Sequence, residues 1–243
     1  MTFSNIISVT FNKQSKKTFG FTLAELLITL GIIGIIAALT IPTIYTNYLK
    51  RQTITRLKAT YATIANAIKL SESENGDVGM WNFTRRSADN FDQYLLPYLK
   101  ADKKEYSAGA LKYTCANGSN CGALGIAHMQ TAVYSLPSGV DLITLVYNNN
   151  EAYLDIIADL NGVKNQPNKL GRDIFYMIVH PQYGFRMSAE NQGEANNGTT
   201  SIKDRNVLLN GPASYGYNCK ALGVWCGALI QKDNWEIRKD YPW

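Results

Sequence analysis

The sequence predicts an α+β fold in which one long N-terminal helix precedes a β-rich domain. Three observations predict it. A run of apolar residues over 21–42 carries a single formal charge up to Leu39, that of Glu25. An apolar stripe at spacings of three and four then extends the helical pattern to about residue 76. From residue 131 the pattern changes to short runs rich in β-branched and aromatic residues, bounded by Pro, Gly or Asn.

Residues 1–20 read as a leader. Lys13, Lys16 and Lys17 are its charges, and 3–9 is mildly apolar but too short to span a bilayer. The next stretch, with the two lysines before it, is KKTFGFTLAELLITLGIIGIIAALTIP over 16–42. It is long enough to cross a hydrocarbon core of roughly 30 Å as a helix. A cleaved secretory signal has a shorter apolar region ending in small residues. Ala37–Ala38 matches such a site poorly. A carboxylate near the start of a membrane helix is costly, so Glu25 needs a partner. Gly31 and Gly34 suit close helix approach or simple backbone flexibility. Pro42 donates no amide hydrogen bond, so a kink or local loosening is expected there. Beyond it Ile54, Leu57, Tyr61, Ile64 and Ile68 form one stripe, with Arg51, Arg56, Lys58 and Asn66 off it. Asn75-Gly76 ends the pattern. An all-apolar half followed by an amphipathic half suits a helix set first in lipid, or among sister helices, and then against its own domain.

The segment Lys16, Lys17, Gly20, Phe21, Thr22, Leu23, Glu25 and the apolar run ending at Pro42 resembles the N-terminus of type IV prepilins and type II secretion pseudopilins. The resemblance covers roughly a fifth of the chain. It implies that a prepilin peptidase cuts between Gly20 and Phe21 on the cytoplasmic side and methylates the new Phe21 amine. The helix is then retained. It also implies the type IV pilin-like fold, with a small antiparallel sheet laid across the amphipathic half of the helix and covering the Ile64 face. The organisation expected is a leader (1–20), a transmembrane or filament-core helix (21–42), its amphipathic continuation (43–76) and a globular β-rich domain (77–243).

Within that domain, 91–99 reads as a short helix broken by Pro97. Strands are expected over 131–136, 142–147, 153–157 and 174–180, with turns at Pro137-Ser138-Gly139 and 181–184. The stretch 191–200 is a polar loop, and the tail from Lys203 reads as irregular.

Four cysteines fall in two close pairs. An exported bacterial domain meets an oxidising compartment, which favours the local disulfides Cys115–Cys121 and Cys219–Cys226. Three pairings are open, and the choice rests on proximity. Zinc is the rival, but the spacings are wide and a CxxC signature is absent. Asp159, Asn161, Asn168 and Asp173 are hard oxygen donors in one loop. That loop resembles the acidic loop after the sheet in major pseudopilins, where that family binds calcium. The EF-hand pattern fails, and plain Asx-turns are the alternative.

The net charge of +5 falls to +2 once the three leader lysines leave, which gives little reason to expect a nucleic-acid partner. The counts of Lys and Arg flanking the span do not settle its orientation. No nucleophile elbow, P-loop or dinucleotide fingerprint occurs, and the two histidines, His128 and His180, fall in or beside strands. The resemblance to prepilins and pseudopilins therefore implies a non-enzymatic filament subunit. By the same resemblance it is first an inner-membrane protein with its N-terminus cytoplasmic and its domain periplasmic, then part of a pilus or pseudopilus. The partners implied are the prepilin peptidase, sister subunits and an inner-membrane assembly platform. Glu25 would neutralise the Phe21 amine of a neighbouring helix. The alternative is a signal-anchored periplasmic binding module that never polymerises.

Overall fold

The structure is a computed structural model that describes residues 20–84, 86–121, 130–145, 153–189, 204–211 and 217–243. The leader lysines, His128 and the 191–200 loop lie outside the described residues. The chain divides into two compact units, Met1–Asn47 and Tyr48–Trp243.

Helix α1 covers Leu23–Asn75 and is continuous through Pro42. In the first unit its apolar side chains are exposed on every side; Leu23, Ile28, Ile35 and Leu39 are all more than half exposed. Thr29, Thr40 and Thr46 each turn their hydroxyl back to a carbonyl of the preceding turn (2.9 Å), which pairs those three hydroxyls within the helix itself.

In the second unit α1 buries Leu57, Thr60, Ile64, Ala67, Ile68 and Ser71. These recur at spacings of three and four, so they form one face. Arg51, Arg56, Lys58 and Asn66 are exposed, as the stripe requires. After α1 come a 3-10 turn at Val78–Met80, helix α2 at Ser87–Tyr94 and a second 3-10 turn at Leu96–Tyr98 containing Pro97.

Among the described residues six strands follow in an antiparallel meander, paired in chain order. They are β1 (Asp102–Tyr106), β2 (Thr131–Ser135), β3 (Asp141–Leu145), β4 (Leu154–Asp159), β5 (Ile174–His180) and β6 (Gly184–Met187). The two turns expected from sequence close β2 to β3, through Leu136–Val140, and β5 to β6, where Tyr183 N donates to His180 O. All seven residues of β5 are buried. A strand covered on both faces reads as a continuous apolar run, as this one does.

Paired residues share a face, which orients the sheet. Leu154, Val179 and Phe185 are paired across β4, β5 and β6. Phe185 stacks on Tyr61 of α1 (centroids 4.6 Å), and Trp235 meets Tyr61 edge-on at 5.5 Å. That face of the sheet therefore receives α1. Helix α2 packs beside it, with Phe91 stacked on Tyr134 of β2 at 4.0 Å.

Two strands and two helices depart from the sequence reading. Strand β1, DKKEY, is an exposed edge with no apolar alternation. Pairing to β2 makes it a strand, and its charges guard the edge against further pairing. Strand β6 is only four residues long. The tail holds α3 (Arg205–Asn210) and α4 (Cys226–Lys232), too short to show a helical period. An ion cluster ties these two helices. Arg205 grips Asp233 with Nε at 2.7 Å and Nη2 at 2.9 Å, and also binds Asp240.

Candidate functional site

The first site is the start of α1. Gly20 is exposed, and Phe21 is 89 % exposed. Thr22 precedes the first helical residue, and its amide and hydroxyl both donate to Glu25 Oε2 at 2.8 Å. Glu25 N donates in return to Thr22 Oγ1 at 3.2 Å. This reciprocal pair is a capping box, which satisfies two groups that every helix start leaves without partners. The partner that Glu25 needs is thus present in its own chain. The signal was available in the sequence as Thr22-x-x-Glu25 and was missed there.

The second site is the loop between β4 and β5. Its four expected donors separate into two roles. Asp173 is a clamp: Oδ2 accepts from Asn168 N at 2.9 Å and Oδ1 from Lys169 N at 2.7 Å. The other three each keep a buried oxygen without a hydrogen-bond partner, namely Asp159 Oδ2, Asn161 Oδ1 and Asn168 Oδ1. Asp159 Oδ1 accepts from Asn161 N (3.2 Å), an Asx-turn, so the local-turn alternative holds for that atom. The loop also crosses itself, since Asn161 Nδ2 donates to Gln166 O and Asn168 Nδ2 to Val163 O.

Two further residues join from outside the loop. Asp141 opens β3, pairs with Asp159 in register and accepts from Val163 N at 2.9 Å. Tyr113 is buried, and its hydroxyl has no hydrogen-bond partner. Burial, then Asp159, Asp141 and Asp173 in that order, holds that phenol far above its ordinary range. No sequence signal reaches either residue, because strand register and chain crossing bring them in.

Asp159 is fully buried, and burial pushes its pKa up to about 8, with the negative charges of Asp173 and Asp141 adding to the rise. Asp173 is raised as well, first by burial. Orphaned carboxylate and amide oxygens, with acids held from ionising, are what a hard cation would relieve. Among the described residues no three His, Cys, Asp or Glu side chains converge at metal distance. A cation here would rely on Asp159 together with amide and other neutral oxygens. The donor chemistry fits calcium on those terms.

The loop is braced at its far end. Gly171 has φ +76°, and a Cβ there would lie 2.6 Å from Cys226 Sγ. Tyr241 Oη donates to Gly171 O. Cys226 is bonded to Cys219, and Cys115 to Cys121, the local pairing. His180 is buried, stacks on Tyr183 (4.5 Å), and accepts from Gln182 N through Nδ1.

Residues 43–243 match the model of a family of unknown function, DUF6613. The chain belongs to that family. In front of the DUF6613 region, residues 15–41 match the prokaryotic N-terminal methylation motif. The chain is also similar to prepilin peptidase-dependent protein D of Escherichia coli (strain K12), at 40 % identity over 60 residues. That stretch covers 25 % of this chain and 40 % of the relative's length. No solved structure matches. This DUF6613 chain is a pilin-like protein: a prepilin-type N-terminus, a long apolar helix and an antiparallel sheet.

Proposed function

We propose that the chain is a structural, non-catalytic subunit of a type IV pilus or type II secretion pseudopilus. The observation that carries this reading is the first half of α1. It is apolar on all sides, wholly exposed, and begins directly after Gly20–Phe21 with the Thr22–Glu25 cap. Such a surface requires lipid or other helices around it. Lipid would receive it before assembly, with the N-terminus cytoplasmic and the domain periplasmic. Sister helices would receive it afterwards, through an inner-membrane assembly platform.

The relative's name refers to a prepilin peptidase, and the motif at 15–41 is the one such an enzyme reads. Cleavage between Gly20 and Phe21 leaves a cationic amine on Phe21, two residues before Leu23 opens α1. Methylation keeps its charge. Glu25 of a neighbouring helix would neutralise that amine and so set the axial register between subunits.

Calcium is the second part of the proposal. Asp159, Asn161 and Asn168 would hold it by their orphaned oxygens, with Asp173 closing the loop around them. The ion would supply positive charge to a buried acid cluster and fix the loop on the sheet.

Mass spectrometry tests the first part. In cells with an active prepilin peptidase the mature chain begins at N-methylated Phe21. An intact leader in those cells refutes it and leaves a non-polymerising anchored module.

A further inference from the structure

The indole of Trp243 carries two cations. Lys50 Nζ lies 5.7 Å from the ring centroid, and Arg172 Cζ lies 5.4 Å from it. The loop that bears Arg172 is tied to α1 nearly one turn beyond Lys50, where Thr53 Oγ1 donates to Arg172 O at 3.2 Å. Among the described residues, neither Lys50 nor Arg172 makes an ion pair. Asp173 is the acid next to Arg172, but its two oxygens face the Asn168 and Lys169 amides. An aromatic face attracts each cation, yet two like charges on one ring repel each other. An anion with several acceptor oxygens would relieve that repulsion, and a guanidinium is shaped to grip a phosphate.

The position of Lys50 in the sequence says which anion. No charged residue lies between Glu25 and Lys50. As helix that uncharged stretch amounts to roughly 37 Å, against a hydrocarbon core of about 30 Å and a bilayer of about 40–45 Å with its polar layers. The first cation after a span of this length belongs at headgroup depth. Tyr45 and Tyr48, both about 60 % exposed, precede it as interfacial aromatics do. Arg51, exposed and without an ion pair among the described residues, adds a third positive charge beside Lys50.

We propose that Lys50 and Arg172, held by Trp243, form a site for the phosphate of an anionic phospholipid headgroup. The site holds a headgroup at Lys50, just past the end of the uncharged stretch, before assembly. It rests on the reading that the apolar half of α1 spans a bilayer, and resistance of the chain to alkaline extraction reports on that reading separately.

The test uses the full chain in nanodiscs that contain phosphatidylglycerol and phosphatidylcholine. One lipid or the other carries a nitroxide at the top of its acyl chain. Quenching of Trp243 is taken as the difference between wild type and Trp243→Phe. A basic residue at an anionic surface enriches such lipids roughly fivefold, so labelled phosphatidylglycerol should quench several-fold more than labelled phosphatidylcholine. Lys50→Gln with Arg172→Gln should bring the two lipids to parity while far-ultraviolet circular dichroism stays unchanged. Should that variant misfold, 0.5 M salt on wild type is the second measurement and should also bring parity. Equal quenching by both lipids in wild type overturns the proposal, and so does a preference that survives both the double variant and salt. Either result would leave the two cations for the acidic surface of another copy.

Discussion

Asp159→Asn has a sign that should reverse with calcium. Asp159 is fully buried, with one oxygen bonded to Asn161 N and the other bare. Its pKa is pushed from the ordinary 3.8 up to about 8, chiefly by burial. A carboxyl raised in the folded state contributes its full stability below the unfolded value and loses it as pH climbs to the folded one. From pH 3.8 to pH 7, at 1.36 kcal/mol per unit, that loss is at most about 4 kcal/mol in the calcium-free protein. Asparagine does not ionise, and its amide places a donor where Oδ2 stood among the orphaned oxygens. In EDTA at pH 7 the variant should melt above wild type, by up to roughly 16 °C for a unit of this size. From pH 4 to pH 8 its melting temperature should fall less steeply than that of wild type, because Asp155 and Asp173, also raised by burial, still titrate in both proteins. In saturating calcium wild type gains by preferential binding to the folded state and the variant does not, so the order inverts. Thermal scans of the full chain in detergent, followed by tryptophan fluorescence, read all four conditions. A variant less stable than wild type in EDTA at pH 7 would refute the burial argument. An equal calcium gain in both proteins would remove Asp159 from the site.

Glu25→Gln keeps the hydrogen-bond acceptor of the capping box and loses the charge, whereas Glu25→Ala loses both. If charge pairing drives assembly, co-expression with wild type should show both variants cleaved at Gly20 and both depleted from sheared filaments. Wild-type incorporation of Glu25→Gln would leave the cap as the whole role of Glu25. Arg205→Ala should cost roughly 3 kcal/mol, because it leaves the buried Asp233 with Arg238 alone; urea unfolding measures it, and a loss within error would show the cluster to be idle. Peptide mapping without reductant should recover 115–121 and 219–226 links and no free thiol.

The sequence alone carried the elements whose signal is local. The apolar run, the basic pair and Gly20-Phe21 lie together, and the helix stripe from Ile54 to Ile68 repeats often enough to be read. Central strands such as 174–180 were legible because burial on both faces demands an unbroken apolar run. The disulfide partners are six and seven residues apart, so proximity decided them. Tertiary structure decided the rest. Strand β1 is a strand because β2 offers it a ladder, and its own residues are almost all charged. Helices α3 and α4 hold because Arg205 and the 219–226 disulfide fasten them, not because a two-turn segment has a period of its own. The loop at 159–173 shows most clearly where local reading stops. Its sequence marked four oxygen donors alike. The fold made Asp173 a clamp by pointing two amides at it, left Asp159, Asn161 and Asn168 with bare oxygens, and brought Asp141 and Tyr113 to them. Which oxygen is satisfied depends on backbone groups that the strand register and the chain crossing bring close. Residue type and spacing do not encode that.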